Sequence, residues 1–241
     1  MNLIICKDYT EMSQKAAAIA AENINPAEEQ LVSFPSGDTP LGMINVFVEM
    51  VNNGKVDISR TRFVQLDEWV SLGEQDNGSC IKFIKDNLLE KLHYPFFNCH
   101  LIDGMASEIK NECIRLDSYI EHFGPMDLCI LGIGLNGHLG LNEEGVDVEN
   151  NSHIVPLSET TKKVMGKYFD REYALEYGIT MGLKQIMSAK TVILVANGVH
   201  KASILKKALS GPVTNAVPAS ILQQHGNCYA VIDAEAAKEI K

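Results

Sequence analysis

Short apolar runs alternate with longer amphipathic stretches along most of the chain. Most of the apolar runs contain four to six residues of Val, Ile, Leu, Cys or Phe without polar alternation, which is typical of strands buried on both faces of a sheet. They predict strands at residues 3–6, 30–34, 62–66, 128–133, 192–196 and 229–232. The amphipathic stretches predict helices at residues 12–23, 41–51, 81–92, 106–122, 183–187, 201–209 and 219–224.

This alternation predicts an α/β fold. We expect a single domain over residues 1–241, with an open, mostly parallel, Rossmann-like sheet and helices on both faces. The segment from Glu143 to Tyr177 interrupts the alternation because it is polar and charged, with weak helical periodicity. An insertion around residues 144–177 is typical of a lid or a binding loop, although a peripheral helix without a functional role fits the pattern equally well.

The composition excludes several classes of protein. Lys and Arg number 21 against 31 Asp and Glu, for a formal net charge of −10, which disfavours a general binder of nucleic acid or of anionic membranes. No apolar run reaches the ~18–20 residues of a membrane span, and charges follow the first residues too soon for a signal peptide. The six cysteines contain no Cys-x-x-Cys pair and favour free thiols over disulfides or a zinc site. We therefore expect a cytoplasmic globular protein without a nucleic-acid or membrane partner.

Open parallel sheets bind ligands beyond the carboxyl ends of their strands, so the residues after each predicted strand are the first candidates for chemistry. The second predicted strand is followed by Ser36, Gly37, Asp38 and Thr39, ahead of a helix expected to begin at Pro40. Hydroxyls and free backbone N–H groups at the positive end of a helix form a phosphate cradle. An ordinary N-cap at Thr39 fits equally, and the Asp38 carboxylate is compatible with an anion only if it points elsewhere.

Two adjacent carboxylates, Asp67 and Glu68, follow the third predicted strand. Neighbouring side chains in an extended chain point in opposite directions, so one can enter the cleft while the other caps a helix or faces solvent. A carboxylate beside Trp69, the chain's single Trp, could act as a proton-transfer base of raised pKa. An Asp N-cap beside a core Trp explains these residues more simply.

The fourth predicted strand leads into a glycine-rich loop that ends in a histidine. Gly132, Gly134 and Gly137 have the spacing of a dinucleotide-binding fingerprint, but the chain then continues into His138 rather than into a helix. Glycines at such a position let the backbone pass close to a ligand. His138 and Glu143, five residues apart, are both suited to acid–base work near neutral pH.

A lysine follows the fifth predicted strand. Lys201 lies in the first turn of a predicted helix, where a cation opposes the helix dipole unless an anion binds there; a solvated lysine is the ordinary alternative. The four strand ends together place a hydroxyl-rich loop, a carboxylate, a His–Glu pair and a lysine at one edge of one sheet. This set suits proton transfer on a phosphorylated small molecule.

These motifs resemble those of the glucosamine-6-phosphate deaminase/isomerase family, whose relatives include the 6-phosphogluconolactonases. The resemblance extends from about Gln30 to Ile232 and is carried by SGDTP at 36–40, FVQLDEW at 63–69, GIGLNGH at 132–138, NE at 142–143 and GVHKA at 198–202. Within the family the chain looks closest to the galactosamine-6-phosphate branch. That similarity is carried by LDEWV at 66–70, NGHLGLNE at 136–143, GITMGLK at 178–184 and AVPAS at 216–220.

The resemblance implies an aldose–ketose isomerisation with release of ammonia, converting galactosamine 6-phosphate to tagatose 6-phosphate. The alternative is glucosamine 6-phosphate giving fructose 6-phosphate. His138, oriented by Glu143, would open the sugar ring, and Asp67 would move the C2 proton to C1. The 36–39 loop and Lys201 would hold the phosphate. The resemblance implies no metal or organic cofactor, because the amino group and the open-chain aldehyde already make C2 acidic.

Several positions depart from the pattern of the glucosamine enzymes. Asn136 replaces an Asp that partners the catalytic His, and we expect its carboxamide to accept a hydrogen bond from the His138 imidazole without stabilising its charge. Lys167 replaces an Arg that contacts substrate and lacks its bidentate fork. The positions around His153 and Val155 lack the basic pair that binds an allosteric amino sugar in hexameric relatives, so we expect no such activation. A homo-oligomer is possible.

Two other functions compete with the deaminase. A lactonase would use His138 as a base on water, but that branch typically lacks the Glu of Asn142-Glu143 and does not need Asp67. A sugar-phosphate sensor would bind without turnover. The presence of Asp67, His138 and Glu143 argues against a sensor, and Asn136 is the one feature in its favour.

Overall fold

The computed structural model describes residues 1–169 and 173–240. In these residues the chain forms ten strands: β1 (Asn2–Cys6), β2 (Gln30–Phe34), β3 (Thr61–Gln65), β4 (Asp67–Trp69), β5 (Cys99–His100), β6 (Leu128–Leu131), β7 (His153–Pro156), β8 (Tyr177–Thr180), β9 (Thr191–Ala196) and β10 (Cys228–Asp233). The same residues form seven α-helices: α1 (Tyr9–Glu22), α2 (Asp38–Asn52), α3 (Cys80–Ile84), α4 (Ile109–Phe123), α5 (Glu159–Met165), α6 (Leu183–Met187) and α7 (Ala202–Ser210).

Seven of the strands form one parallel sheet in the order β1-β10-β9-β6-β2-β3-β5. The remaining strands form a small antiparallel sheet in the order β4-β8-β7. The predicted α/β fold with a mostly parallel sheet is therefore confirmed. The chain runs outward in one direction from β2 and in the other from β6, so the loops after these neighbouring strands meet at a topological switch point, where such sheets bind ligands.

Helices cover both faces of the large sheet because successive strand residues point to opposite sides. In β6, Leu128 and Ile130 pack into the layer formed with α1 and α2, whereas Cys129 and Leu131 pack into the layer formed with α4 and α7. All four side chains are fully buried. This two-sided burial explains why the central strands read as continuous apolar runs.

The six predicted strands are all present, with ends displaced by no more than two residues. The pattern missed β4, β5, β7 and β8, which contain two to four residues each. Three of these belong to the antiparallel sheet, where β4 pairs with β8 more than a hundred residues later in the chain. Pairing with so distant a partner leaves no local hydrophobic period.

Five predicted helices differ from the observed ones. Helix α1 begins three residues earlier than predicted and α4 three residues later. Helix α2 begins at Asp38 rather than at Pro40, and its N-cap is Gly37 rather than Thr39. Pro40 is tolerated there because the first four N–H groups of a helix have no partner within it. The predicted helix at 81–92 is interrupted: α3 ends at Ile84 and continues as a π-helical turn. The predicted helix at 219–224 is a 3₁₀ helix.

The predicted insertion at 144–177 is built onto the small sheet. It contains β7, α5 and the 3₁₀ turn Gly166–Tyr168, and β7 pairs antiparallel with β8. Residues 170–172 of the insertion lie outside the described residues. Across the described ranges, none of the helices is both long enough and apolar enough to cross a bilayer.

The contribution of the core layer between the large sheet and helices α1 and α2 to stability can be tested with a pair of phenylalanines. Phe47 is fully buried in α2, whereas Phe97 is 85% exposed. We expect Phe47→Ala to lower the free energy of unfolding by about 3–5 kcal/mol, because it removes buried area and leaves a cavity. Phe97→Ala should change it by less than about 0.5 kcal/mol. Urea unfolding measures both; equal losses would contradict the assigned core.

Candidate active site

A cavity of about 380 Å³ lies at the carboxyl ends of β2, β3, β6 and β9. Asp67, His138 and Lys201 line it, together with residues 35–40 after β2. Residues separated by more than a hundred positions in the chain thus share one concave site. The sheet brings them together because the ends of neighbouring parallel strands meet at the same edge.

The loop after β2 has the features of an anion site. Gly37 has a φ of 114°, which favours glycine, and the 15-residue helix α2 begins directly after it. The free N–H groups of its first turn are at the positive end of the helix dipole. The Ser36 hydroxyl is 3.1 Å from Cys80 Sγ, and the Thr39 hydroxyl donates to Asn197 Oδ1 at 2.7 Å.

Lys201 places a cation beside this loop without a carboxylate partner among the described residues. Its Nζ donates to the Ile133 carbonyl at 2.6 Å. Burial, with a smaller contribution from Lys167, lowers the pKa of Lys201 to about 8. A half-buried ammonium that is not neutralised favours binding of an anion in the cavity.

Asp38 does not oppose such an anion, because its carboxylate is 68% exposed and forms an ion pair with Lys167 Nζ at 2.6 Å. The hydrogen bond to Asp38 raises the pKa of Lys167. The two residues expected to contact substrate therefore contact each other, between the 36–39 loop and the insertion. Both remain predictions as substrate ligands.

Asp67 and Glu68 point in opposite directions, as the extended backbone requires. Asp67 lines the cavity, and its Oδ1 forms no hydrogen bond with any of the described residues. Burial raises the pKa of Asp67 to about 6, although the charge of His138 and the Cys80 thiol lower it. Asp67 begins β4 opposite Thr180 and is not the N-cap of any α-helix in the described residues. A buried carboxyl that titrates near neutral pH is suited to accept and return a proton.

The Glu68 carboxylate lies on the other side, beneath the cavity wall, and is fully buried. It accepts backbone N–H groups from Trp69 at 2.8 Å, Cys80 at 2.9 Å and Ile81 at 2.6 Å. The Gln65 side-chain amide donates to it as well, at 3.1 Å. Burial raises the pKa of Glu68 to about 7, although these hydrogen bonds lower it. Glu68 therefore ties the start of α3 to β4.

The glycine-rich loop folds tightly around His138. A Cβ atom on Gly134 would lie 2.4 Å from the His138 ring, so only glycine leaves room for the imidazole. Gly134 N–H donates to the His138 carbonyl at 3.0 Å, which closes the loop. Gly137 has a φ of 89°, which also favours glycine. Two of the three predicted loop glycines are thus required for the position of the ring.

Glu143 holds one side of that ring. Its Oε2 is 3.6 Å from His138 Nδ1, and its Oε1 accepts the Thr161 hydroxyl at 2.5 Å. Burial by itself raises the pKa of Glu143, but His138, Thr161 and Asn136 outweigh it and lower the pKa to about 2. The carboxylate is therefore ionised at neutral pH. With Nδ1 directed at Glu143, Nε2 is the ring nitrogen left for proton transfer in the cavity.

The expectation that Asn136 accepts a hydrogen bond from the imidazole is corrected by the structure. Asn136 Nδ2 donates to Glu143 Oε2 at 2.5 Å and to Ser158 Oγ at 3.3 Å. Its Oδ1 accepts the backbone N–H of His138 at 3.3 Å. An ionised carboxylate is the strongest acceptor nearby, so the amide donor turns toward it. Asn136 thereby supports the ring through Glu143 and through the loop backbone.

The insertion supplies cavity residues that the sequence pattern did not single out. Thr161 and Tyr168 line the cavity, and the Thr161 hydroxyl is also 3.3 Å from His138 Nδ1. The rings of Trp69 and Phe169 lie edge to face at 6.3 Å and pack the insertion against β4. Cys80 is a further lining residue without a sequence signal. Within residues 1–169 and 173–240, no cluster of three His, Cys, Asp or Glu side chains is arranged to hold a metal ion.

Comparison with known sequences identifies one family. A family profile described as glucosamine-6-phosphate isomerases/6-phosphogluconolactonase matches residues 7–230. The glucosamine-6-phosphate deaminase of Clostridium perfringens (strain 13 / Type A) is 36% identical over 242 residues, which is 100% of both chains. The glucosamine-6-phosphate deaminase of Lachnoclostridium phytofermentans is 40% identical over 226 residues, covering 93% of this chain and 96% of the relative.

Comparison with solved structures gives the same fold. The structure of a monomeric glucosamine-6-phosphate deaminase superposes with a TM-score of 0.95 at 30% identity, covering 99% of this chain and 100% of the other. The 6-phosphogluconolactonase from Trypanosoma brucei superposes with a TM-score of 0.79 at 18% identity, covering 100% of this chain and 98% of the other. At that identity the lactonase shows the shared fold alone.

The raised pKa of Asp67 makes a prediction about stability. The folded protein holds the Asp67 proton up to about pH 6, whereas an ordinary Asp releases it at 3.8. Ionisation of Asp67 therefore lowers the stability of the folded protein. This loss of stability is absent below pH 3.8, grows up to about pH 6 and is complete above it. Asp67→Asn cannot ionise, so its unfolding free energy relative to wild type should rise by up to about 3 kcal/mol between pH 4 and pH 8.

Urea unfolding over that pH range measures the difference, and the titrations of groups that do not interact with Asp67 cancel between the two proteins. Glu29→Gln, at an exposed position, is the control and should show no pH-dependent gain. A difference between Asp67→Asn and wild type that stays constant with pH would contradict the raised pKa.

Proposed function

This chain belongs to the family of glucosamine-6-phosphate isomerases and 6-phosphogluconolactonases, and we propose that it is a hexosamine-6-phosphate deaminase. The reaction is the isomerisation of an amino aldose phosphate to a ketose phosphate with release of ammonia. The observation that carries the proposal is that Asp67, with a pKa of about 6, faces the same cavity as His138 held by the ionised Glu143. Two acid–base groups in different environments are what ring opening followed by C2 chemistry requires.

The phosphate of the substrate binds at the loop after β2. The free N–H groups at the N-terminus of α2 and the Lys201 ammonium provide its donors, and the loop that carries Ser36 and Thr39 lies around it. Because the chain carries a net charge of −10, this local positive site is what attracts an anionic sugar. The remainder of the sugar then extends toward Asp67 and His138.

Ring opening is the step assigned to His138. Nε2 accepts the proton of the anomeric hydroxyl and returns it to the ring oxygen, so the cyclic sugar becomes an open-chain aldehyde. Glu143 keeps the ring oriented and stabilises the imidazolium that forms between the two transfers. Thr161 and Asn136, which donate to Glu143, hold that carboxylate in place.

Isomerisation is the step assigned to Asp67. Its carboxylate removes the C2 proton and delivers it to C1 through an enolamine, which leaves a ketose imine. Water adds to the imine, and ammonia leaves. Asp67 needs to be ionised to begin and protonated midway, so a pKa of about 6 suits both halves of the transfer.

The choice of amino sugar rests on the comparisons. The motifs at 66–70 and 136–143 led us to expect galactosamine 6-phosphate, but the relatives at 36% and 40% identity are named glucosamine-6-phosphate deaminases. These relatives support glucosamine 6-phosphate, with fructose 6-phosphate as product, as the proposed substrate of this chain. The galactosamine epimer, which differs at C4, is the alternative to test beside it.

The lactonase and sensor alternatives fit the site less well. Lactone hydrolysis has no step for the buried carboxyl of Asp67, and the lactonase structure shares only the fold with this chain. A sensor would carry the stability cost of burying Asp67 without benefit.

The proposal also covers assembly and location. The structural relative with a TM-score of 0.95 is described as monomeric, which supports a monomer over the homo-oligomer that the family resemblance allowed. All six cysteines of the described chain are free, which is consistent with the reducing cytoplasm as its location.

Ammonia release from glucosamine 6-phosphate and galactosamine 6-phosphate, measured side by side, tests the proposed function. We expect turnover of the gluco epimer, and a fall in kcat of about 10²–10⁴-fold in Asp67→Asn because the variant lacks a base for the C2 proton. Glu29→Gln should match wild type. Release from the galacto epimer alone would keep the chemistry and overturn the assigned substrate, and release from neither would overturn the deaminase.

Replacement of Lys201 tests the phosphate site. Lys201→Met should raise KM for the sugar phosphate about ten- to hundredfold, because a charge-assisted hydrogen bond to the phosphate is lost. Lys206→Met removes an exposed lysine of α7 and is the matched control. Inorganic phosphate should inhibit wild type and the control competitively but inhibit Lys201→Met weakly. An unchanged KM would place the phosphate elsewhere.

A further inference from the structure

Cys80 lies between the two parts of the cavity that the proposed reaction uses. It is buried and lines the cavity, and its Sγ is 3.1 Å from the hydroxyl of Ser36 in the phosphate loop. The carboxyl of Asp67, the proposed base, lines the same cavity, and the thiol and this carboxyl shift each other's pKa. One side chain thus bridges the anion loop and the base.

The backbone of Cys80 is fixed relative to that base. Cys80 is the first residue of α3, and its N–H donates to Glu68 Oε1 while the N–H of Ile81 donates to Glu68 Oε2. Glu68 follows Asp67 directly in β4. The Cys80 thiol and the Asp67 carboxyl therefore share one rigid support.

The thiol has a single proton to donate. Burial, together with the charges of Glu68 and Asp67, raises the pKa of Cys80 well above 9.0, so the sulfur stays protonated over the working range of an enzyme. The Ser36 hydroxyl occupies a lone pair of the sulfur as a donor. The S–H is therefore free to point to Asp67, whose carboxyl interacts with the thiol and whose buried Oδ1 has no hydrogen-bond partner within the described ranges.

We propose that Cys80 is a positioning residue for the proposed deaminase reaction: its S–H orients the Asp67 carboxyl for proton transfer and couples it to the phosphate-binding loop through Ser36. The inference rests on the proposed function for its catalytic consequence. The interaction between the thiol and the carboxyl does not depend on turnover and is testable without it. Cys80 acts through Asp67 and has no proton-transfer step of its own.

The titratable groups near Asp67 determine how the pH profile of a Cys80 variant is interpreted. His138 approaches it from the loop after β6, Lys201 lines the same cavity after β9, and Cys80 approaches from α3. The neighbour in β8 is the uncharged Thr180. Because His138 and Lys201 are unchanged in a Cys80 variant, a shift of the acidic limb of kcat/KM reports the loss of the thiol.

The experiment compares Cys80→Ala, Cys80→Ser and a control, Cys228→Ala, which removes an equally buried thiol at the start of β10. We expect Cys80→Ala to lower kcat about tenfold, with KM changed by less than about twofold, because a hydrogen bond to the base is lost while the phosphate donors remain. The acidic limb should move to higher pH, since the thiol lowers the pKa of Asp67. Cys80→Ser, which keeps a donor, should restore most of kcat and return the limb.

Equal behaviour of Cys80→Ala and Cys228→Ala would overturn the proposal, as would a rise in KM at constant kcat, which would mean that the thiol contacts substrate. Failure of Cys80→Ser to recover activity in a protein that unfolds normally would also overturn it.

If the wild type releases no ammonia from either amino sugar, the proposed function fails, and the interaction of Cys80 with Asp67 is judged by urea unfolding. The pH-dependent difference between Asp67→Asn and the parent protein should then lie at higher pH in the Cys80→Ala background.

Discussion

Four hydrogen bonds to the buried carboxylate of Glu68 hold one wall of the cavity in place. They come from β4 itself, from the unpaired first N–H groups of α3 and from the Gln65 side chain. A carboxylate buried without a cation needs such donors, and a short helix needs an acceptor for its free N–H groups, so each satisfies the other. The position of Asp67 on the opposite side of the same strand, and of Cys80 at the start of α3, follows from this one anchor.

Two carboxylates in the site illustrate how environment assigns roles. Asp67 is buried, and the charge of His138 does not offset the desolvation, so its pKa rises to about 6. Glu143 is also buried, but His138, Thr161 and Asn136 lower its pKa to about 2. Asp67 can therefore exchange a proton near neutral pH, whereas Glu143 stays ionised and orients an imidazole. The same chemical group thus has its pKa shifted in opposite directions in one cavity.

The small antiparallel sheet connects β4, which carries Asp67, with the insertion. β4 continues the chain from β3, pairs with β8, and β8 pairs with β7, so the insertion is attached to the strand that carries Asp67. Through this attachment Thr161 reaches Glu143 and Tyr168 reaches the cavity. The insertion is thus part of the cavity wall, and the ion pair of Lys167 with Asp38 joins it to the loop after β2.

The sequence alone determined the architecture and the place of the site, because both follow from local patterns. Buried strands such as β2 read as continuous apolar runs, and the residues after parallel strands converge whatever the details, so Asp67, His138 and Lys201 were found at their strand ends. The tertiary structure decided how side chains are paired. The Asn136 side chain donates a hydrogen bond to Glu143 rather than accepting one from the imidazole. Cys80 lines the cavity although no sequence motif marked it. The partners of these two residues are distant in the chain or depend on which acceptor is ionised. Neither property produces a periodic pattern in the local sequence.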